Sequence, residues 1–200
     1  MSGQSSDNFI ERLRAREHEA FNRLVMDCHT SVYRLAYRLL RNADDAQDVA
    51  QESFLAAYEG IGGFQQRASI KTWLLSITYR KAVDRVRKRA EESHIGSDAL
   101  DDAGLWKIAQ SVESFTDWGV NPEQSFSNIQ IKDQLQAALN KLPAQSKAVF
   151  ELRDLQGFSS KETSDILGIN EGTVRVRLHR VRQFLMSELQ NLFGAKGSPR

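Results

Sequence analysis

The chain has 200 residues, 40 % of them hydrophobic and 26 % charged, with a formal net charge of +1. That length and composition suit one globular domain or two small ones and exclude a chain disordered throughout. A single cysteine, Cys28, excludes an intramolecular disulfide and every multi-cysteine zinc site, so a reducing cytoplasm is the expected location. The first residues offer no apolar core for a signal peptide and no segment approaches the roughly 18 apolar residues of a membrane span, so no membrane insertion is expected.

Taken in chain order, almost every periodic segment reads as helix, proline is confined to Pro122, Pro143 and Pro199, and strands find no support. Residues 7–28 carry Phe9, Ile10, Leu13, Phe21, Leu24 and Val25 at helical spacing, and 31–40 continue with Val32, Leu35, Ala36, Leu39 and Leu40. A third helix starts near Asp44, where acidic residues favour a first turn, and stops at Gly60, Gly62 and Gly63. The loop GGFQQRAS leads to Ser69 as N-cap of a long helix reaching about Arg89, which closes a four-helix unit. Residues 91–122 are acidic, broken by Gly96, Gly104 and Gly119, and read as a linker. A second helical unit occupies 123–193: one helix to about 141, another from Pro143 to about Leu155, and a pair around Gly168, followed by a tail at 194–200. The expectation is therefore an all-α chain of two helical domains, 7–90 and 123–193, joined by an acidic linker.

The last pair has the layout of a helix-turn-helix. Ser159 or Ser160 caps a short helix ending at Leu167, Gly168 supplies a left-handed turn, Ile169 plugs the gap, and Glu171 to Thr173 open the next helix. At 100° per residue, Val174, Leu178, Val181 and Leu185 fall within about 60° of one another and must be core. Arg175, Val176, Arg177, His179 and Arg180 are left on a broad outward arc. Arginine suits such an arc because its planar fork bonds guanine edges or clamps phosphates.

Sign is segregated along the chain although the total is nearly neutral. Residues 67–90 hold eight cations against Asp84, 91–125 hold eight anions against Lys107, and 43–59 hold five anions and no cation. On the 70–89 helix, Ile70, Trp73, Leu74, Ile77, Val83 and Val86 make an apolar side while Arg80, Asp84, Arg87 and Lys88 stack on another. Before it stand Phe64, Gln65, Gln66, Arg67 and Ser69, with Lys71 just inside. Cations for phosphate, a flat ring for a base and amides for its edge are what locally melted DNA needs. Phe64 reads equally as that ring or as core, and Trp73 reads as core.

The stretches DAQDVAQESFLAAY, GGFQQRASIKTWLLSITYRKAVDRVRK, NPE and LPAQSKAVFELRDLQGFSSKETSDILGINEGTVRVRLHRVR, in this order and spacing over about residues 8–190, resemble the extracytoplasmic-function sigma factors of bacterial RNA polymerase. The resemblance implies a subunit that binds core polymerase and directs it to promoters, with no bond chemistry and no cofactor of its own. It implies that the surface with Asp45, Asp48, Val49, Gln51, Glu52 and Phe54 docks on the clamp helices of the largest subunit, and that the C-terminal unit meets the flap. It further implies that Phe64, Gln65, Gln66, Arg67, Ser69, Lys71, Arg80, Arg87 and Lys88 capture a melted −10 element, that Arg175, Val176, Arg177, His179 and Arg180 read a −35 duplex, and that an anti-sigma factor restrains the chain. Gln47 departs from the Glu usual in the family's acidic motif, and Ser164 from a small apolar residue. The two promoter elements lie roughly 70 to 85 Å apart. A flexible linker of about 34 residues averages only some 30 Å, so bridging them needs a scaffold such as the polymerase. Leu105, Trp106, Ile108, Phe115 and Trp118 make the linker too apolar for a passive spacer, which leaves packing on the chain's own domains and a course through the polymerase equally open.

Two other readings remain at this level. Asp44, Asp45 and Asp48 match an Asp-Asp-x-x-Asp spacing that holds magnesium against a diphosphate in all-helical enzymes, but no second acidic motif follows in regular helix. An ordinary helix-turn-helix regulator of duplex DNA would leave the +7 block at 67–90 without a purpose. Cys28, His29 and His18 read as core and surface, because adjacent helical residues diverge by about 100°.

Overall fold

The computed structural model describes residues 3–93 and 129–194, and every regular element among them is helical. In the N-terminal half, α1 spans Gly3–Arg14, α2 His18–Leu40, α3 Ala43–Gly60 and α4 Ile70–Ser93. In the C-terminal half, α5 spans Ile129–Lys141, α6 Ala144–Phe150, α7 Ser160–Leu167 and α8 Glu171–Gly194. The linker expected at 91–122 and its apolar residues lie outside the described residues.

The N-terminal boundaries differ from the expectation. Instead of helices at 7–28 and 31–40, α2 runs unbroken through 29–30 and the chain turns at 15–17, where Arg16 adopts a left-handed φ of 57°. Neither glycine nor proline marks that turn, so nothing in the periodicity announced it. Elsewhere local chemistry explains the ends. Asn42 caps α3 by accepting from Asp45 N–H at 2.9 Å, and a single 3₁₀ turn at Ile61–Gly63 follows Gly60. Ser69 caps α4 through Thr72 N–H at 3.0 Å. After Pro143, α-helix extends only to Phe150 and widens into a π-helical turn at Glu151–Leu155.

Leu13, Leu24, Leu35, Ile61, Leu74 and Leu75 fill the centre of the N-terminal bundle and are almost wholly buried. Each contributes about 1.5–3 kcal/mol by leaving water. Leu142, Phe184 and Leu185 do the same between α5, α6 and α8. The halves are not separate in the structure: α7 packs on α4 and α6 on α2, and Leu152, Phe158, Ile166, Leu167 and Val174 join the N-terminal core in one apolar cluster.

Candidate nucleic-acid interface

The helix-turn-helix is built by three side-chain caps and one glycine. Ser159 Oγ accepts from Glu162 N–H at 3.1 Å while the Glu162 carboxylate accepts from Ser159 N–H at 2.9 Å, a reciprocal box that starts α7. The Ser159 hydroxyl, donating to the same carboxylate at 2.7 Å, and after it the Ser159 N–H hold the Glu162 carboxyl below its ordinary range. Gly168 ends α7 at φ 67°, a conformation that costs glycine nothing, and its N–H reaches Ser164 O at 2.9 Å. Asn170 then caps α8, its Oδ1 accepting from Thr173 N–H at 2.7 Å and Thr173 Oγ1 at 3.0 Å.

Val174, Leu178, Val181 and Leu185 are buried, as the spacing requires, and turn the opposite arc outward. Val176 is 47 % exposed, and Arg175 and His179 are exposed. Arg175 stands 3.5 Å from Glu171 one turn earlier. Asn170, Thr173, Val176, Arg177 and Arg180 line an open groove of about 400 Å³. Arg177 is partly buried and donates to Gln145 Oε1. Arg182, the last arginine of the series, is engaged within the protein. Its Nε and Nη2 bond Asp154 at 3.0 and 2.6 Å, a bidentate pair that ties α8 to the π-helical turn. Hydrogen bonding to Asp154 raises its already high pKa further.

In the N-terminal half, Gln65, Gln66 and Arg67 are exposed, and Gln66 sits at φ 55°. Phe64 is only 4 % exposed: its ring packs 5.1 Å from Trp73 and its carbonyl accepts from Arg14 Nη2 at 2.7 Å. The ring, which the sequence left between base plate and core, is thus a floor beneath the loop, packed against Trp73 after the short 3₁₀ turn. Cavities of about 250 and 330 Å³ flank this loop. Ser69 is engaged in its cap, and Lys71 is half-buried with its ammonium 5.2 Å from the Phe158 ring centre.

The cations of α4 divide between two flanks. Lys81 faces Glu52 at 3.5 Å, Arg85 faces Asp48 at 3.0 Å and Asp45 at 3.7 Å, and Arg89 also bonds Asp45. Arg67, Arg80, Arg87 and Lys88 are exposed, Arg80 bonding the Ser76 carbonyl at 3.1 Å and Arg87 lying 3.6 Å from Asp84.

This ladder changes the acidic face of α3. Val49, expected at its surface, is 1 % exposed and belongs to the core, because its position on α3 faces α2 and α4. Asp45 has only 16 % of its side chain exposed under Arg85 and Arg89, and Phe54 packs half-buried against the core. Asp48, Gln51 and Glu52 remain outward, joined by Leu55 at 59 % exposure. Leu55 was missed because an isolated leucine carries no signal of exposure; its place three residues after Glu52 and four after Gln51 was the available clue.

Comparison with known proteins agrees with this geometry. The Sigma-70 region 2 family model matches residues 24–92 and the Sigma-70, region 4 model matches 132–185. The chain is 31 % identical to the ECF RNA polymerase sigma factor SigW of Bacillus subtilis (strain 168), over 92 % of this chain and 96 % of that one. It is 30 % identical to the ECF RNA polymerase sigma-E factor of Salmonella typhimurium, over 96 % and 98 %. Among solved structures, the sigma factor RpoE from Bartonella quintana, crystallised with the anti-sigma factor NepR, shares the fold with a TM-score of 0.62 at 23 % identity, over 85 % of this chain and 96 % of that one. Two sigma regions in order, carried by a chain whose described elements are all helical and whose relatives are matched nearly end to end, place this protein in the ECF family of RNA polymerase sigma factors, which direct promoter-specific transcription initiation.

Proposed function

We infer that the promoter is read by two surfaces and the polymerase met by a third. The outward arc of α8, Arg175, Val176, Arg177, His179 and Arg180, reads a −35 duplex. The loop at 64–69, with Lys71, Arg80, Arg87 and Lys88 behind it, captures the melted −10 strand over the floor made by Phe64. Asp48, Gln51, Glu52 and Leu55 dock on the basic clamp helices of core polymerase, with Asp45 and Phe54 shaping that face from beneath, and the C-terminal domain meets the flap. Domain limits of 7–90, 91–122, 123–193 and 194–200 follow from this division. The observation that carries the reading is the orientation of α8: Val174 and Val181 have no exposure while Val176, between them, is 47 % exposed, so the flanking cations are presented to a groove.

The chain does no bond chemistry and works without a cofactor, beside polymerase in the bacterial cytoplasm. No helix among the described residues is long and apolar enough to cross a membrane. An anti-sigma factor is the proposed restraint; the Bartonella quintana neighbour is held by one.

The test is run-off transcription with bacterial core polymerase and a genomic fragment library, with and without the protein, sequencing transcript 5′ ends. New starts sharing paired upstream elements are expected. Arg180→Ala should then lower transcription that depends on the upstream element about 5- to 150-fold, the 1–3 kcal/mol of one bidentate base contact, and leave binding to core polymerase unchanged. A parallel fall in polymerase binding would remove Arg180 from base reading. No new starts, with tight duplex binding by the protein alone, would favour an ordinary helix-turn-helix regulator.

A further inference from the structure

A group of cations on α2 and α6 is only partly matched by carboxylates. Arg34 and Arg38 share a face one turn apart, and Arg41 follows where α2 ends with a left-handed φ of 56°. Lys147 lies on α6, which packs on α2, and the charges of Arg41 and Arg38 reach it. Glu151, 2 % exposed, accepts from Arg38 Nε at 2.8 Å and from Gln156 at 3.1 Å, so its charge is matched by Arg38. Among the described residues, Arg34, Arg41 and Lys147 have no carboxylate within ion-pair distance. Lys147 is 8 % exposed and hydrogen-bonds nothing described, which leaves an ammonium withdrawn from water without a counter-charge. Burial first, then Arg41 and Arg38, lower its pKa to about 8, and an anion beside it would push that value up again.

Flat rings run beside these cations. His29, Tyr33 and Tyr37 repeat every four residues, with ring centres 6.2 and 5.9 Å apart and planes inclined by 11° and 17°. The stack ends at Tyr37, 43 % exposed, because the next position of the series is Arg41. Tyr33, Arg34, Tyr37 and Arg38 line a cavity of about 320 Å³ together with Glu151 and Leu155 of the π-helical turn. That volume lies at the lower end of the range for small-molecule sites. None of these six residues belongs to the surfaces proposed above for DNA or polymerase. Arg38 joins the two features, since it lines the cavity and is one of the cations that act on Lys147.

We propose that this cleft binds a nucleoside di- or triphosphate, with the base laid on the Tyr37 ring and the phosphates held by Arg34, Arg38, Arg41 and Lys147. A base on Tyr37 continues the aromatic stack by one ring, and stacking of this kind accepts any base. Arginine forks match the oxygens of a phosphate two at a time. Arg34, Arg41 and Lys147 carry positive charge that the described residues leave unmatched, which suits the several negative charges of a di- or triphosphate better than those of a monophosphate. The ring and the size of the cavity separate this ligand from a bare inorganic anion, which would use the cations alone.

The test is titration of the full chain with ATP, adenosine and inorganic pyrophosphate by isothermal titration calorimetry in phosphate-free buffer. ATP should bind at least about tenfold more tightly than either fragment, because it alone engages ring and cations together. Tyr37→Ala should lower ATP affinity about 5- to 150-fold and leave pyrophosphate binding unchanged, and Tyr37→Phe should restore it. Arg41→Ala should weaken both phosphate-bearing ligands. Lys147→Met should weaken ATP binding although the same change should raise stability at pH 7, so that the loss is not one of folding; circular dichroism checks the other variants. No binding of ATP by the parent chain at millimolar concentration would overturn the proposal. So would pyrophosphate binding as tightly as ATP, the mark of an adventitious ion only, or an ATP affinity that Tyr37→Ala and Arg41→Ala leave unmoved in folded chains.

Discussion

Lys147 shows how a residue type conceals its environment. Burial first, then the charges of Arg41 and Arg38, push its ammonium down to about 8. Among the described residues no carboxylate pairs with it. A folded-state pKa below the ordinary 10.5 means the folded chain binds the proton more weakly than the unfolded one. The penalty is therefore felt in full below pH 8 and relieved as pH rises from about 8 to 10.5. Lys147→Met should raise stability at pH 7 on the order of 2 kcal/mol and flatten its rise between pH 8 and 10, as read from urea denaturation at several pH values. A variant weaker than the parent at pH 7 would mean the ammonium does have a stabilising partner. The arginines of α8 hold the same lesson. Their spacing separates outward from inward positions, yet Arg182 looks like its neighbours in sequence and is set apart only by Asp154, 28 residues earlier. Contacts across such a gap have no period to read.

Elements were most legible where a side chain bonds its own backbone. Ser159 and Glu162 stand in a Ser-x-x-Glu spacing, Gly168 falls at the turn, and the structure realises both. Because Ser159 holds the Glu162 carboxyl below its usual range, the box contributes stability above the ordinary carboxylate range and loses it as pH falls through the lowered pKa. Ser159→Ala should cost about 1 kcal/mol at pH 7, visible as a lower thermal midpoint, and less at pH 3. An equal cost at both pH values would separate the cap from the carboxylate's charge. The turn at Arg16 and the π-helical turn at 151–155 were not legible, since each is imposed by packing against other helices on residues with no turn preference. Phe64 is an intermediate case: the sequence left it between base plate and core, and the fold decided by aiming it at Trp73.

Over the whole molecule, two helical units were visible from their periodicity, whereas the acidic block at 43–59 and the basic block at 67–90, read as separate surfaces, meet in the ladder between α3 and α4. The mutual packing of the two units was not visible, because the groups that meet, such as Arg38 and Glu151, are 113 residues apart. Nor was the face of α3 proposed above for docking. With Asp45 covered and Val49 buried, Leu55 becomes its apolar centre. Leu55→Arg should weaken binding to core polymerase about tenfold or more while shifting thermal stability by less than about 0.5 kcal/mol, measured by competition binding and a thermal melt. Undiminished affinity would take Leu55 out of the interface. The ladder between α3 and α4 bears on the thermodynamics of DNA binding as well. Polycation binding to DNA is driven largely by mobile ions set free from the phosphates. Lys81, Arg85 and Arg89 already carry fixed counterions in Glu52, Asp48 and Asp45, so each can neutralise a phosphate only by giving up a carboxylate. On the proposed reading, the entropy of ion release then falls mainly to cations that face solvent, such as Arg67, Arg80 and Lys88, and the strand's hold on this domain should tolerate salt better than the eight cations of 67–90 would suggest.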